Sequence, residues 1–127
     1  GYSYLLNDFL AVSLVDAFGR TVARSPRIDQ LRQPSQTHLT FESSDDYGLS
    51  PFSDHTHARS WVNAGWEGLL ADIQPDRHRH GSPNEDHTTG RANYLFADGH
   101  VSAIAAIKVK QWIDKQINFA KPGENTE

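Results

Sequence analysis

Seven histidines stand among the 127 residues, and four of them form His-x-His pairs, His55/His57 and His78/His80. On an extended strand residues i and i+2 point to one face, so either pair could share a metal ion. A zinc site would add a third ligand from His87, His100 or Asp98, with hydrogen-bond partners to orient the imidazoles. No H-E-x-x-H spacing supplies such a site outright. Asp45, Asp46 and Asp54 offer oxygen ligands of the kind calcium takes, without the D-x-D-x-D-G order of an EF-hand loop. Serine and histidine are plentiful, yet there is neither a G-x-S-x-G elbow nor a glycine-rich phosphate loop. These spacings predict no catalytic residues, no enzymatic activity and no bound cofactor, with Ca²⁺ or Zn²⁺ as the minor alternatives.

Composition narrows the field further. Twelve Lys+Arg against sixteen Asp+Glu leave a net charge of −4, which argues against a nucleic-acid binder in need of a basic face. The chain has no cysteine, which excludes disulfides and thiolate metal sites. No apolar run reaches the roughly 18–20 residues that span a bilayer. The length suits one domain, with six Phe, four Tyr and three Trp to build a small core. The chain opens at Gly1-Tyr2-Ser3-Tyr4 without a methionine, already inside an apolar pattern. That reads as the trimmed start of a longer protein, with a leader or membrane segment upstream.

The elements that would position these residues begin with strands. Leu10, Val12 and Leu14 alternate with smaller residues, and Asp16-Ala17-Phe18-Gly19 reads as a turn returning into Thr21-Val22-Ala23. Arg27 to Arg32 suits one helical turn before Pro34. The next strand lies within 35–43, with Thr37, Leu39 and Phe41 on one face and His38, Thr40 and Glu42 on the other. Residues 43–90 read as a long loop insertion punctuated by Pro51, Pro75 and Pro83, anchored by Trp61, Val62, Trp66, Leu69 and Leu70. The sharpest local signal is a hairpin of Ala92–Ala97 and His100–Ile104 around Asp98-Gly99, a dipeptide that favours the two-residue type I′ turn. Val109, Trp112, Ile113 and Ile117 then mark a helix from about 106 to 119, closed by Lys121-Pro122-Gly123, with residues 120–127 a frayed tail.

Arg77-His78 and the string Asn93-Tyr94-Leu95-Phe96-Ala97-Asp98-Gly99-His100-Val101 resemble the pseudopilin-like proteins that carry the prepilin-type processing-associated H-X9-DG domain. Ser3-Tyr4-Leu5-Leu6-Asn7 is similar to the family's entry strand. Pro34-Ser35-Gln36-Thr37, followed by Leu39-Thr40-Phe41-Glu42, is similar to its second strand with an acidic end. Thr88 stands where the family spacing would put the histidine, so the equivalent is His78, with an insertion from about His80 to Gly90. The resemblance implies an α+β fold: a small antiparallel sheet of pseudopilin type with a C-terminal helix, one periplasmic domain over 1–127. It also implies an N-terminal transmembrane helix absent from this chain. By the same resemblance the function is that of a structural subunit of a type II secretion or pseudopilus-like assembly. Its partners would be other pseudopilins and the secretion machinery, and its place the bacterial envelope, anchored in the inner membrane.

Within that reading the motif residues Glu42, Arg77, His78, Asn93, Phe96, Asp98, Gly99, His100 and Val101 look structural first. Asp98-Gly99 sets the hairpin register, Phe96 and Val101 feed the core, Asn93 satisfies backbone groups of the preceding loop, and Arg77 and His78 dock on Asp98 or Glu42. Two other classes remain open. A binding module would use Tyr47, Trp61 and Trp66 as stacking platforms for a glycan or a secreted protein. A His-metal hydrolase would use His55, His57, His78 and His80.

Overall fold

Alternation of apolar and polar residues from Arg91 to Phe96 and the turn formers at 97–99 produce the central hairpin. In the computed structural model, which describes residues 4–23, 26–45 and 54–127, Arg91–Phe96 is strand β5 and Val101–Ala105 is β6. Ala92, Tyr94 and Phe96 face inward and are buried. The connection differs from the expected two-residue type I′ turn. The Gly99 N–H donates to the Phe96 carbonyl and the Phe96 N–H to the His100 carbonyl, each at 2.9 Å, which closes a three-residue loop. Only Gly99 takes a positive φ, 92°, so Asp98 never meets the demand of a type I′ turn.

The hairpin belongs to a four-stranded antiparallel sheet in the order β1-β4-β5-β6, with β1 at Tyr4–Leu6 and β4 at His38–Glu42. Between them run helix α1, Asp8–Ala11, and the short hairpin β2–β3, Leu14–Val15 and Thr21–Ala23, followed by 3₁₀ turns at Ile28–Gln30 and Pro34–Gln36. The alternation at Leu10–Leu14 suggested a strand there; instead the Asn7 side chain accepts from the Phe9 N–H and caps a helical turn. In β4 the expected division of faces fails for a specific reason. His38 pairs with Phe96 but Thr40 with Leu95, so one extra residue is bulged at Leu39 and both His38 and Phe41 turn into the core.

The largest departure falls inside the supposed loop. Trp61–Asp72 is helix α2, kinked at Gly65 (φ 75°, ψ −166°) and preceded by a 3₁₀ turn at Ala58–Ser60. Gly65 and Gly68 weaken its intrinsic helicity. Its Trp61 and Leu69 reach the core, and burial outweighs propensity. The C-terminal helix α3, Ala106–Asp114, stops five residues short of the expected end. Gln116 takes φ 60°, and the N–H groups of Gln116 and Ile117 donate to the carbonyls of Ile113 and Trp112, a Schellman closure built without glycine. Phe119 and Ala120 turn back into the core, so the expected frayed tail is pinned at its start, and the Thr126 carbonyl accepts from Trp112 Nε1.

The core lies between the inner sheet face and helices α2 and α3. Phe119 is its hub, with ring centroids 5.2 to 6.5 Å from His38, Phe41, Trp61, Tyr94 and Trp112. Asn7, fully buried, links three distant stretches: its Nδ2 donates to the carbonyls of His38 (2.9 Å) and Ala120 (2.7 Å). Among the described residues no helix is long and apolar enough to cross a membrane.

Two predictions follow from this core. Asn7→Ala leaves two buried carbonyls without donors and removes the α1 cap, so it should lower stability by about 3 kcal/mol. Urea unfolding measures this, and a loss below about 1 kcal/mol contradicts the linkage. His38 stands among four aromatic rings with its Nδ1 unpartnered, and burial, helped by the nearby His100 charge, pushes its pKa down to about 3. The fold therefore favours neutral His38. Its stabilising effect is complete above the unfolded pKa near 6.5 and is lost as pH falls from there toward 3. Between pH 7 and 4.5 the parent should lose roughly 2–3 kcal/mol more than His38→Phe, and parallel losses contradict the assignment.

Candidate functional site

The second strand of the resemblance ends in Glu42, and this residue organises the motif. Its carboxylate, only 9% exposed, accepts from the Asn93 N–H at 2.8 Å and lies 3.1 and 3.2 Å from His78 Nε2. His78 is held there by a two-way backbone bridge to Arg91, His78 N–H to the Arg91 carbonyl at 2.9 Å and the reverse at 3.0 Å. Beneath this bridge lies Gly90, φ 88°, where a Cβ would stand 2.6 Å from the His78 carbonyl and 2.7 Å from the Arg79 Cβ. No side chain fits at that approach. Burial pushes the Tyr94 phenol upward, and the Glu42 charge adds to the shift.

Arg77 docks on neither Asp98 nor Glu42. Its guanidinium donates to Asp45 Oδ1 at 2.8 Å and to the Ser43 carbonyl. Asp98 belongs to its own turn: it accepts from the His100 N–H and lies against the His100 ring, and these bonds hold its carboxyl below the usual range. The His100 ring stacks on Phe96 at 4.4 Å. Val101 does not feed the core; it is 62% exposed, because its partner Leu95 lies on the outer face. The motif thus splits into a Glu42–His78–Asn93 cluster and a separate Asp98–His100 turn.

Three further carboxylates, none of them singled out by sequence, perform the same work on residues 54–90. Asp8 accepts from Thr56 Oγ1 and from the N–H groups of Ala58 and Arg59, at the positive end of the turn leading into α2. Asp72 accepts from the His57 N–H and from Trp61 Nε1, both at 2.7 Å, and His57 Nδ1 lies 3.0 Å from its other oxygen. Asp76, with no exposed surface, accepts from Gln74 Nε2 and lies 2.9 Å from His87 Nδ1. Each is buried, and each has a polar partner on both carboxylate oxygens. The legible signal was weak: an Asp directly after a capping Asn, an Asp closing an aromatic-rich stretch, and an Asp after Pro75.

The histidines proposed as metal ligands are therefore distributed. The rings of His55 and His57 stand 5.9 Å apart, but His57 faces Asp72 and His78 faces Glu42. Among the described residues no three His, Asp or Glu side chains form a group able to hold a metal. Asp45 is engaged by Arg77, Asp54 lies beside His55, and Asp46 falls outside the described residues. The stacking surface also dissolves. Trp61 is a core residue at 1% exposure, Trp66 is half-buried with its Nε1 donating to the Asp86 carbonyl, and Tyr47, like Ser3, lies outside the described residues. Compared with protein-family models, curated proteins and solved structures, the chain matches none.

A double-mutant cycle tests the central cluster. His78→Ala should lower stability by about 1 kcal/mol, since half of the imidazole is in water. Glu42→Ala should cost about 2 kcal/mol or more, because the Asn93 N–H is left without its acceptor. Equal, additive losses contradict a shared cluster.

Proposed function

We propose that the chain is the globular part of a pseudopilin-like protein, a structural subunit of a type II secretion or pseudopilus-like assembly in the bacterial envelope. On this reading an N-terminal apolar helix anchors it in the inner membrane, the domain lies in the periplasm, and its partners are other such subunits. The family resemblance of the motif strings supports it, and one observation carries it: the outer face of the sheet holds a charge-free row that is exposed at both ends, Leu6 and Val101. Leu6, Thr40, Leu95 and Val101 form that row across all four strands; in the next, Tyr4, 61% exposed, and Ala103 flank Glu42 and Asn93 of the polar cluster. An exposed charge-free row of this kind asks for a partner. Among the described residues strand β6 has an open edge from Val101 to Ala105, free of charge and proline, the residues that usually block strand addition. A structural rather than catalytic role is also supported by Glu42, His78, Asn93, Asp98 and His100 being engaged in two hydrogen-bonded groups.

The test uses the native protein recovered from cells. The proposal expects it in the inner-membrane fraction, with mass spectrometry placing a processed apolar helix before Tyr4, and in-cell cross-links from Val101→Cys to other pseudopilins. A freely soluble native chain without such a helix, or cross-links absent from every envelope subunit, overturns it.

A further inference from the structure

Five cationic or titratable side chains, Arg77, His78, Arg79, His80 and Arg91, line one open cleft of about 790 Å³ in a chain whose net charge is −4. The Arg77–His80 run lies along the start of β5 through the His78–Arg91 bridge, and bare Gly90 lets the two backbones approach. Two of the five are already matched, Arg77 by Asp45 and His78 by Glu42. Among the described residues, Arg79, His80 and Arg91 have no acidic partner. Arg79 donates through Nη1 to the Asp76 carbonyl, yet its Nε is buried with no hydrogen-bond acceptor. A buried guanidinium N–H without an acceptor is costly, so the protein leaves the Arg79 fork incompletely satisfied.

We propose that this cleft binds a phosphate group. Guanidinium forks match tetrahedral oxyanions with paired, charge-assisted hydrogen bonds. Two uncompensated arginines with an imidazole between them in sequence suit a dianion better than a single carboxylate, which one arginine would satisfy. Arg79 and Arg91 carry the contact and His80 adds a ring N–H donor. Arg77 and His78, held by their own carboxylates, fix the run in place. The inference is independent of the assembly reading, since it concerns neither the outer row nor the β6 edge.

Titration of the purified chain with inorganic phosphate, at constant ionic strength in chloride, tests it through amide NMR shifts. Saturable shifts confined to residues 77–80 and 89–91 are expected, weakened about tenfold by Arg91→Gln and similarly by Arg79→Gln. Arg91 is exposed and outside the core, so Arg91→Gln should melt with the parent in phosphate-free buffer and carries the test if Arg79→Gln fails to fold. No saturable shift, or shifts unchanged in Arg91→Gln, overturns the proposal. A second arm separates the sources of the phosphate. Co-sedimentation with phosphatidylcholine vesicles containing phosphatidic acid, lost in Arg91→Gln, makes a lipid headgroup the ligand. Phosphate binding without vesicle binding makes it a soluble phosphate.

Discussion

A buried carboxylate must be met by donors on nearly every side, and this demand shapes the molecule. Asp8, Glu42, Asp72 and Asp76 are each almost or wholly withdrawn from water; the first three gather backbone N–H groups together with an arginine, histidine or tryptophan, and Asp76 takes the Gln74 amide and the His87 ring. Losing one partner would leave a charge stranded in a low-dielectric setting, which is far more costly than the gain from any single contact. The segment from 54 to 90 therefore has few ways to lie on the sheet. Asp8 receives the start of α2, Asp72 binds its end back to its beginning, and Glu42 and Asp76 fasten the run that follows. Apolar burial supplies the driving force, and the carboxylates select one arrangement.

Much of the fold was legible where local rules and tertiary packing agree. The Asp98-Gly99 hairpin, the Asp16–Gly19 turn between β2 and β3, and the stripe of Val109, Trp112 and Ile113 all follow from period and turn chemistry. What was missed came from long-range partners. Helix α2 holds two glycines and lies between prolines, so propensity points to a loop; its Trp61–Leu69 face becomes meaningful only once the sheet and α3 stand opposite. The bulge at Leu39 likewise has no local signature. Its backbone carbonyl accepts from the Asn7 N–H, and that contact exists only after β1 has paired.

The candidate site shows the same division. Of the two partners expected for His78, Asp98 or Glu42, the ring lies against Glu42, while Asn93, expected to satisfy backbone groups of the preceding loop, gives its own N–H to Glu42. Arg77, for which the same two partners were expected, takes Asp45 instead, and Val101, expected in the core, faces outward. Asp8, Asp72 and Asp76 gave no spacing rule at all. A carboxylate that caps a distant helix turn looks, in one dimension, like any solvated acid. The motif strings thus have a physical basis in this structure: the Glu42 cluster joins the middle segment to the sheet, and the Asp98 turn closes the hairpin.

If buried carboxylates bind residues 54–90 to the sheet as one unit, that segment should open only when the whole domain unfolds. Native-state hydrogen exchange under increasing denaturant reads this directly. The slowest amides of Trp61–Asp72 should exchange with the same free energy and the same denaturant dependence as those of β4 and β5. Exchange of the α2 amides through a lower-energy, denaturant-insensitive opening, with the sheet still protected, would contradict the account.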